Sequence, residues 1–173
     1  MATPYDDLIN QAAAQYGIDP DFVKAIISVE SNWNPNAVRP EPQINDASYG
    51  LMQVLLTTAR RVSGNSTLTA QQLLTPAVNI TVGTAYIREL QDKYGGYPED
   101  IASAYNAGKP AHNILLGPLV YSNQGYVTRV MAAYSWEKKG SIAIVVFVAA
   151  AGLAFWWVTR AKRAPTGVVA VPA

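Results

Sequence analysis

The sequence predicts a mainly α protein: a helical globular domain in residues 1–136, one membrane-spanning helix in residues 140–160 and a short basic tail in residues 161–173. Three observations predict it. Stretches of helical periodicity are separated by Pro, Gly and Asn, no long alternating apolar and polar run is present, and one uninterrupted apolar run lies close to the C-terminus.

Taken in order, Thr3-Pro4 places a capping residue before a proline at the first helical position, and the helix it opens should close near Gly17. Asp19-Pro20 repeats the signature. The second helix then runs through Phe22, Val23, Ile26 and Ile27 and ends near Ser31. Residues 32–48, rich in Pro and Asn, read as a long loop. A third helix is expected to follow Gly50 and reach Val62, and a short fourth to occupy Ala70 to Leu74. Thr75-Pro76 opens a longer helix in which Ile80, Gly83, Ile87, Leu90 and Tyr94 recur at three and four residues before Gly95-Gly96 closes it. Pro98 starts the next helix, through Ile101 and Tyr105 to Gly108. Residues 109–124 read as loop, and Tyr126 to Trp136 as a last helix continuous with the apolar span.

That span runs from Ile142 to Val158, 17 residues without charge or proline. As a helix it would cover roughly 26 Å, close to the hydrocarbon thickness of a bilayer. Tyr134 and Trp136 before it, and Trp156 and Trp157 at its end, suit the two interfaces. A buried core helix is the alternative, but Lys138 and Lys139 in front and Arg160, Lys162 and Arg163 behind favour the bilayer. The opening MATPYDDLINQAAAQ has neither the basic nor the apolar region of a signal peptide, so the span is expected to be the membrane determinant.

Composition restricts the chemistry. Half of the 173 residues are hydrophobic and only 14% are charged, against about 25% in an average domain. With no Cys and one His, thiol nucleophiles, disulfides and Cys- or His-rich metal sites are excluded, and no cofactor or metal is expected. All 12 acidic residues lie at or before Glu137 while three of the 13 basic ones, Arg160, Lys162 and Arg163, stand alone at the far end, so the globular part carries no basic surface for nucleic acid. His112, beside Ala111 and Asn113 in a loop, reads as a surface residue rather than a base. Carboxylates remain. Glu30 lies one turn beyond Ile26 and Ile27, at the end of a core-facing stripe, where desolvation raises a carboxyl pKa and suits it to donate a proton. The same position also suits a helix-end glutamate that reaches water, and periodicity leaves both readings open.

The segments AIISVESNWNPNAV (Ala25 to Val38), YGLMQV (Tyr49 to Val54), ASAYNAG (Ala102 to Gly108) and YVTRV (Tyr126 to Val130) resemble, in order, the motifs of the soluble lytic transglycosylase family, glycoside hydrolase family 23. The similarity spans residues 5–134 and includes NITVGTAYIREL (Asn79 to Leu90). It implies a lysozyme-like helical catalytic domain that cuts the β-1,4 bond between N-acetylmuramic acid and N-acetylglucosamine in peptidoglycan and leaves 1,6-anhydro ends. Under the resemblance Glu30 matches the single catalytic acid/base. Ser31 orients it, Gly50 allows close backbone approach, Met52 supplies an apolar wall and Gln53 an amide for sugar groups. Tyr105 and Asn106 line the cleft, and Tyr126 brings a phenol near the reacting sugar or the acid.

The sequence also departs from the family pattern. The stretch between Ser31 and Gly50 is longer than usual and carries Arg39, Glu41 and Asp46; Leu56 stands where the family has Pro, and Tyr121-Ser122-Asn123 replaces Glu-Thr. These sustain two rivals. One is a hydrolase of goose-lysozyme type with Asp46, or next Glu41, activating water; the other is a non-catalytic glycan-binding membrane protein. The implied partners are peptidoglycan strands, the bilayer through the C-terminal helix, and other proteins of a virion or membrane complex, without nucleic acid. The resemblance places such an enzyme on the membrane of a membrane-containing bacteriophage or on the host inner membrane, single-pass, with the catalytic domain facing the wall.

Overall fold

The computed structural model describes residues 2–113 and 120–138. The apolar run from Ile142 to Val158 and the basic tail lie outside the described residues. Among the described residues no helix is long and apolar enough to cross a membrane.

Helix α1 spans Asp6–Tyr16 and closes on Gly17 at φ 65°, a left-handed position that glycine adopts without a Cβ penalty. It starts later than Thr3-Pro4 predicts. The Thr3 hydroxyl donates to the Asp6 carboxylate at 2.7 Å and accepts from the Tyr5 amide, which fixes a turn ahead of the helix instead of capping it. Helix α2, Pro20–Ser31, begins as read: Asp19 accepts from the Asp21 amide at 3.0 Å, with Pro20 at the first position. Its far end turns through Asn32 and Trp33, both at positive φ.

The expected loop after α2 is instead a small antiparallel sheet. Strands β1 (Val38–Glu41), β2 (Asp46–Tyr49) and β3 (Val54–Leu55) pair in that order, with a 3₁₀ turn at Pro42–Ile44 between the first two. Val38 faces Tyr49, Arg39 faces Ser48, and Ser48 in turn faces Leu55. Strands of two to four residues with a proline on the edge show no usable alternation in the sequence, and pairing alone reveals them. They also displace α3, which occupies Leu56–Ser63 rather than starting at Gly50. Leu56 stands at the first helical position, where the proline common in the family would be favoured but is not required.

Helix α4 is Ala70–Leu73, held by a reciprocal capping box between Thr69 and Gln72. Helix α5, Pro76–Tyr94, packs against α1, α3 and α6 (Pro98–Ala107), burying Ile80, Ile87 and Leu90. A last helix, α7, covers residues 124–138 and buries Tyr126, Val127 and Val130. Phe22, Val23, Ile26 and Ile27 of α2 complete the same core.

Candidate active site

The turn between β2 and β3 is built on one buried amide. Asn79, on α5 and fully buried, donates from Nδ2 to the carbonyls of Tyr49 (2.8 Å) and Leu73 (2.9 Å) and accepts the Met52 amide at Oδ1 (2.8 Å). A Cβ at Gly50 would lie 2.5 Å from Asn79 Nδ2, and Gly50 sits at φ 72°. The close approach expected of Gly50 is therefore to this amide. Met52 is likewise not a cleft wall. It is fully buried, and a Cβ on Gly83 of α5 would come within 2.4 Å of its sulfur. One turn of chain is thus locked from below, at Gly50 by Asn79 and at Met52 by Gly83. Asn79 and Gly83 both lie in a segment the motifs cover, yet no local pattern distinguishes a buried clamp from an ordinary helical asparagine.

What the turn presents is Gln53, only 8% exposed and at φ 46°. Its Nε2 donates to the carbonyls of Ala37 and Gly50, so the amide is anchored and its carbonyl side is set by the fold. Tyr105 donates its phenol proton to the Met52 carbonyl at 2.8 Å. Asn106 accepts at Oδ1 from Asn123 Nδ2 (3.0 Å), which also donates to the Ser103 carbonyl. Asn123 belongs to the stretch that departs from the family pattern, and here it holds Asn106 in place.

Glu30 and these residues line one cleft of about 190 Å³, which contains Glu30, Arg39, Glu41, Ser48, Gln53 and Asn106 in its walls. A second cavity of about 330 Å³ shares Gln53, Tyr105 and Asn106 and extends toward Tyr86 and Gly108. The sheet supplies one wall by its period of two: Arg39 and Glu41, two residues apart, share a face of β1, and Ser48 opposite Arg39 and Leu55 opposite Ser48 continue it across β2 and β3.

Glu30 is half-buried. Its Oε1 accepts a 2.7 Å hydrogen bond from the Tyr126 hydroxyl of α7. Burial pushes its carboxyl above the ordinary range, against the opposing pull of the Tyr126 bond and of the Arg39 and Arg129 charges. Burial and the neighbouring Glu30 charge raise Tyr126 and Tyr105 well above the usual phenol value, so both remain neutral donors. Ser31 lies behind Glu30 and donates to the Ile27 carbonyl at 3.3 Å, tightening the last turn of α2.

Asp46 does not line the cleft. Its Oδ2 accepts from the Thr57 amide (3.0 Å) and hydroxyl (2.6 Å), which ties β2 to the start of α3. Of the two carboxylates considered for water activation, only Glu41 shares the cleft with Glu30. His112 stands apart from the cleft, 3.3 Å from Asp100 and tilted against Tyr121.

A carboxyl of raised pKa at the floor of a cleft between a helical core and a small sheet is the arrangement the motifs imply. Comparison with known families decides the matter: residues 7–115 match the transglycosylase SLT domain. The chain belongs to this family. Among similar proteins, the membrane-bound lytic murein transglycosylase C of Yersinia enterocolitica is 31% identical over 149 residues, covering 83% of this chain and 37% of that protein. Its namesake in Photorhabdus laumondii is 40% identical over 98 residues, covering 54% of this chain and 26% of that protein. The crystal structure of the 70 kDa soluble lytic transglycosylase of Escherichia coli superposes with a TM-score of 0.66 at 26% identity, over 79% of this chain and 24% of that one. The chain spans between 24% and 37% of the length of these and similar curated relatives. The SLT domain match and the structural likeness fix the lysozyme-like helical fold over the described part of the chain.

Proposed function

We propose that this SLT domain is a peptidoglycan lytic transglycosylase in which Glu30 is the acid and then the base. The observation that carries the reading is the setting of Glu30: half-buried, raised in pKa and met among the described residues by the phenol of Tyr126, in a cleft that also holds Gln53, Tyr105 and Asn106. Protonated Glu30 gives its proton to the glycosidic oxygen as the bond to C1 of N-acetylmuramic acid breaks, and the 2-acetamido group stabilises the cationic centre. The glutamate now accepts the proton of the muramyl C6 hydroxyl, whose oxygen bonds to C1. No water is consumed, and Glu30 returns to its protonated form. Because the nucleophile is carried by the substrate, proximity supplies what a second carboxylate would otherwise provide. Tyr126 donates to the carboxylate that forms midway and holds its orientation.

Gln53 and Asn106 offer amides to sugar hydroxyl or acetamido groups, and Gly50, Met52 and Ser31 act from behind by shaping the turn and the helix end. A goose-lysozyme-like hydrolysis is the second reading, and the presence of Glu41 in the same cleft favours it over one through Asp46. Mass spectrometry of digested cell walls separates the two, since anhydro ends are one water lighter than reducing ends. Anhydro products are expected; reducing ends lost in Glu41→Gln would establish hydrolysis.

We further propose that the apolar run from Ile142 to Val158 anchors the domain in a bilayer, which suits an enzyme carried on a virion membrane or the host inner membrane and directed at the wall. Its length and its charged and aromatic flanks support this. Retention of the full chain in the membrane pellet after alkaline carbonate washing is the expected result.

A further inference from the structure

The β1–β2 hairpin brings to the cleft a cation that the reaction above does not use. Arg39 donates from Nε to Glu41 Oε1 at 2.7 Å, and Glu41 Oε2 accepts from Gln43 Nε2 at 2.9 Å. With both oxygens engaged, Glu41 is a fixed post that holds the guanidinium by one nitrogen. Among the described residues the two terminal Nη groups of Arg39 have no hydrogen-bond or ion-pair partner, and the side chain is 57% exposed on the wall that faces Glu30. The free edge of a guanidinium is a planar fork that matches the two oxygens of a carboxylate. An ordinary surface ion pair of this kind is worth little by itself. Its position in the cleft and its half-used fork distinguish it.

If the substrate is the glycan strand proposed above, on which this inference rests, its backbone is neutral except at muramic acid. There a lactyl group on O3 ends in a carboxyl, free in an unsubstituted strand and replaced by the carboxylates of a peptide in a substituted one. We propose that Arg39, oriented by Glu41 and Gln43, binds a carboxylate on this lactyl side chain and makes the protein select anionic strands over neutral ones. The hairpin that carries it lies between Ser31 and Gly50.

The test uses the full chain carrying Glu30→Gln, so that binding is read without turnover, with and without Arg39→Gln. The probes are peptide-bearing strands, strands stripped to the free lactyl carboxylate, and the same strands with every carboxyl converted to a neutral amide. Arg39→Gln should weaken binding of carboxylate-bearing strands about tenfold, Arg39→Lys should recover part of the loss, and neither should alter binding of the amidated strands. Loss on the stripped strands identifies the lactyl carboxylate as the ligand; loss on the peptide-bearing strands alone identifies the peptide. An equal loss on charged and amidated strands, or no loss on either, overturns the proposal. Failure of the lytic reading is seen separately, as wild-type protein that binds charged strands through Arg39 and releases no product.

Discussion

At the floor of the cleft Glu30 accepts a hydrogen bond from the phenol of Tyr126, whereas at the foot of the hairpin Asp46 accepts from the amides of Ala47 and Thr57 and from the Thr57 hydroxyl. Both are partly buried carboxylates beside the same small sheet. Burial raises both pKa values, yet Glu30 ends above its ordinary value and Asp46 below. The difference lies in burial and donors together. Glu30 is buried far more deeply and one phenol does not offset its desolvation, while backbone amides and the Thr57 hydroxyl more than offset the smaller desolvation of Asp46. A fold can thus favour the protonated form of one acid for chemistry and the ionised form of another for structure.

The strongest way to break this contrast is Glu30→Gln. If Glu30 supplies the proton, wall lysis should fall about 10²- to 10⁴-fold with unchanged far-ultraviolet circular dichroism. The fold favours the protonated form of Glu30, so stability is lost as pH rises from the unfolded value toward the folded one. The glutamine variant should therefore melt at a higher temperature than wild type at neutral pH, and the gain should vanish in acid. Wild-type lysis by this variant would remove Glu30 from the mechanism.

Tyr126→Phe sharpens the same site. Loss of the donor leaves Glu30 still higher in pKa, so the alkaline limb of the kcat–pH profile, where the acid loses its proton, should move upward. The carboxylate formed after proton transfer also loses a charge-assisted bond, and kcat should fall about tenfold to a hundredfold. An unmoved limb in a steady-state pH profile would show that the phenol does not act through Glu30.

Asp46→Asn tests the other half and should have the smallest effect. Asp46 has a depressed pKa, so its contribution is present above the unfolded value of about 3.9 and is lost as pH falls through the folded one. The asparagine variant should lose about 1 kcal/mol at neutral pH, comparable to a lost helix cap, with little difference from wild type in strong acid. Its kcat should stay within about twofold of wild type, a margin too small to register as a catalytic barrier. Denaturant melts at two pH values and a steady-state assay check both; a large loss of turnover with intact stability would return Asp46 to the chemistry.

The sequence alone determined the helices whose ends are written in local chemistry. Asp19-Pro20, Thr75-Pro76, Pro98, Gly17 and Gly108 act within a few residues of themselves, so α2, α5, α6 and the end of α1 could be placed before any contact was known. It placed Glu30 at the end of a buried stripe, and the motif order identified the family. Tertiary structure decided the rest, because the information lies between residues far apart in the chain. The hairpin exists only through pairing of β1 with β2, which puts Arg39 and Glu41 on the cleft wall and Asp46 beneath α3. Met52 could not be separated from a substrate contact until Gly83 was found beneath it, nor Gly50 from a sugar-facing glycine until Asn79 was found there. Glu30 itself acquires its raised pKa from burial under the tertiary fold, moderated by the phenol of Tyr126, 96 residues away. Periodicity can state that a side chain faces the core. How deeply it is buried and how many donors meet it there depend on packing, and the two together set the direction in which its pKa moves.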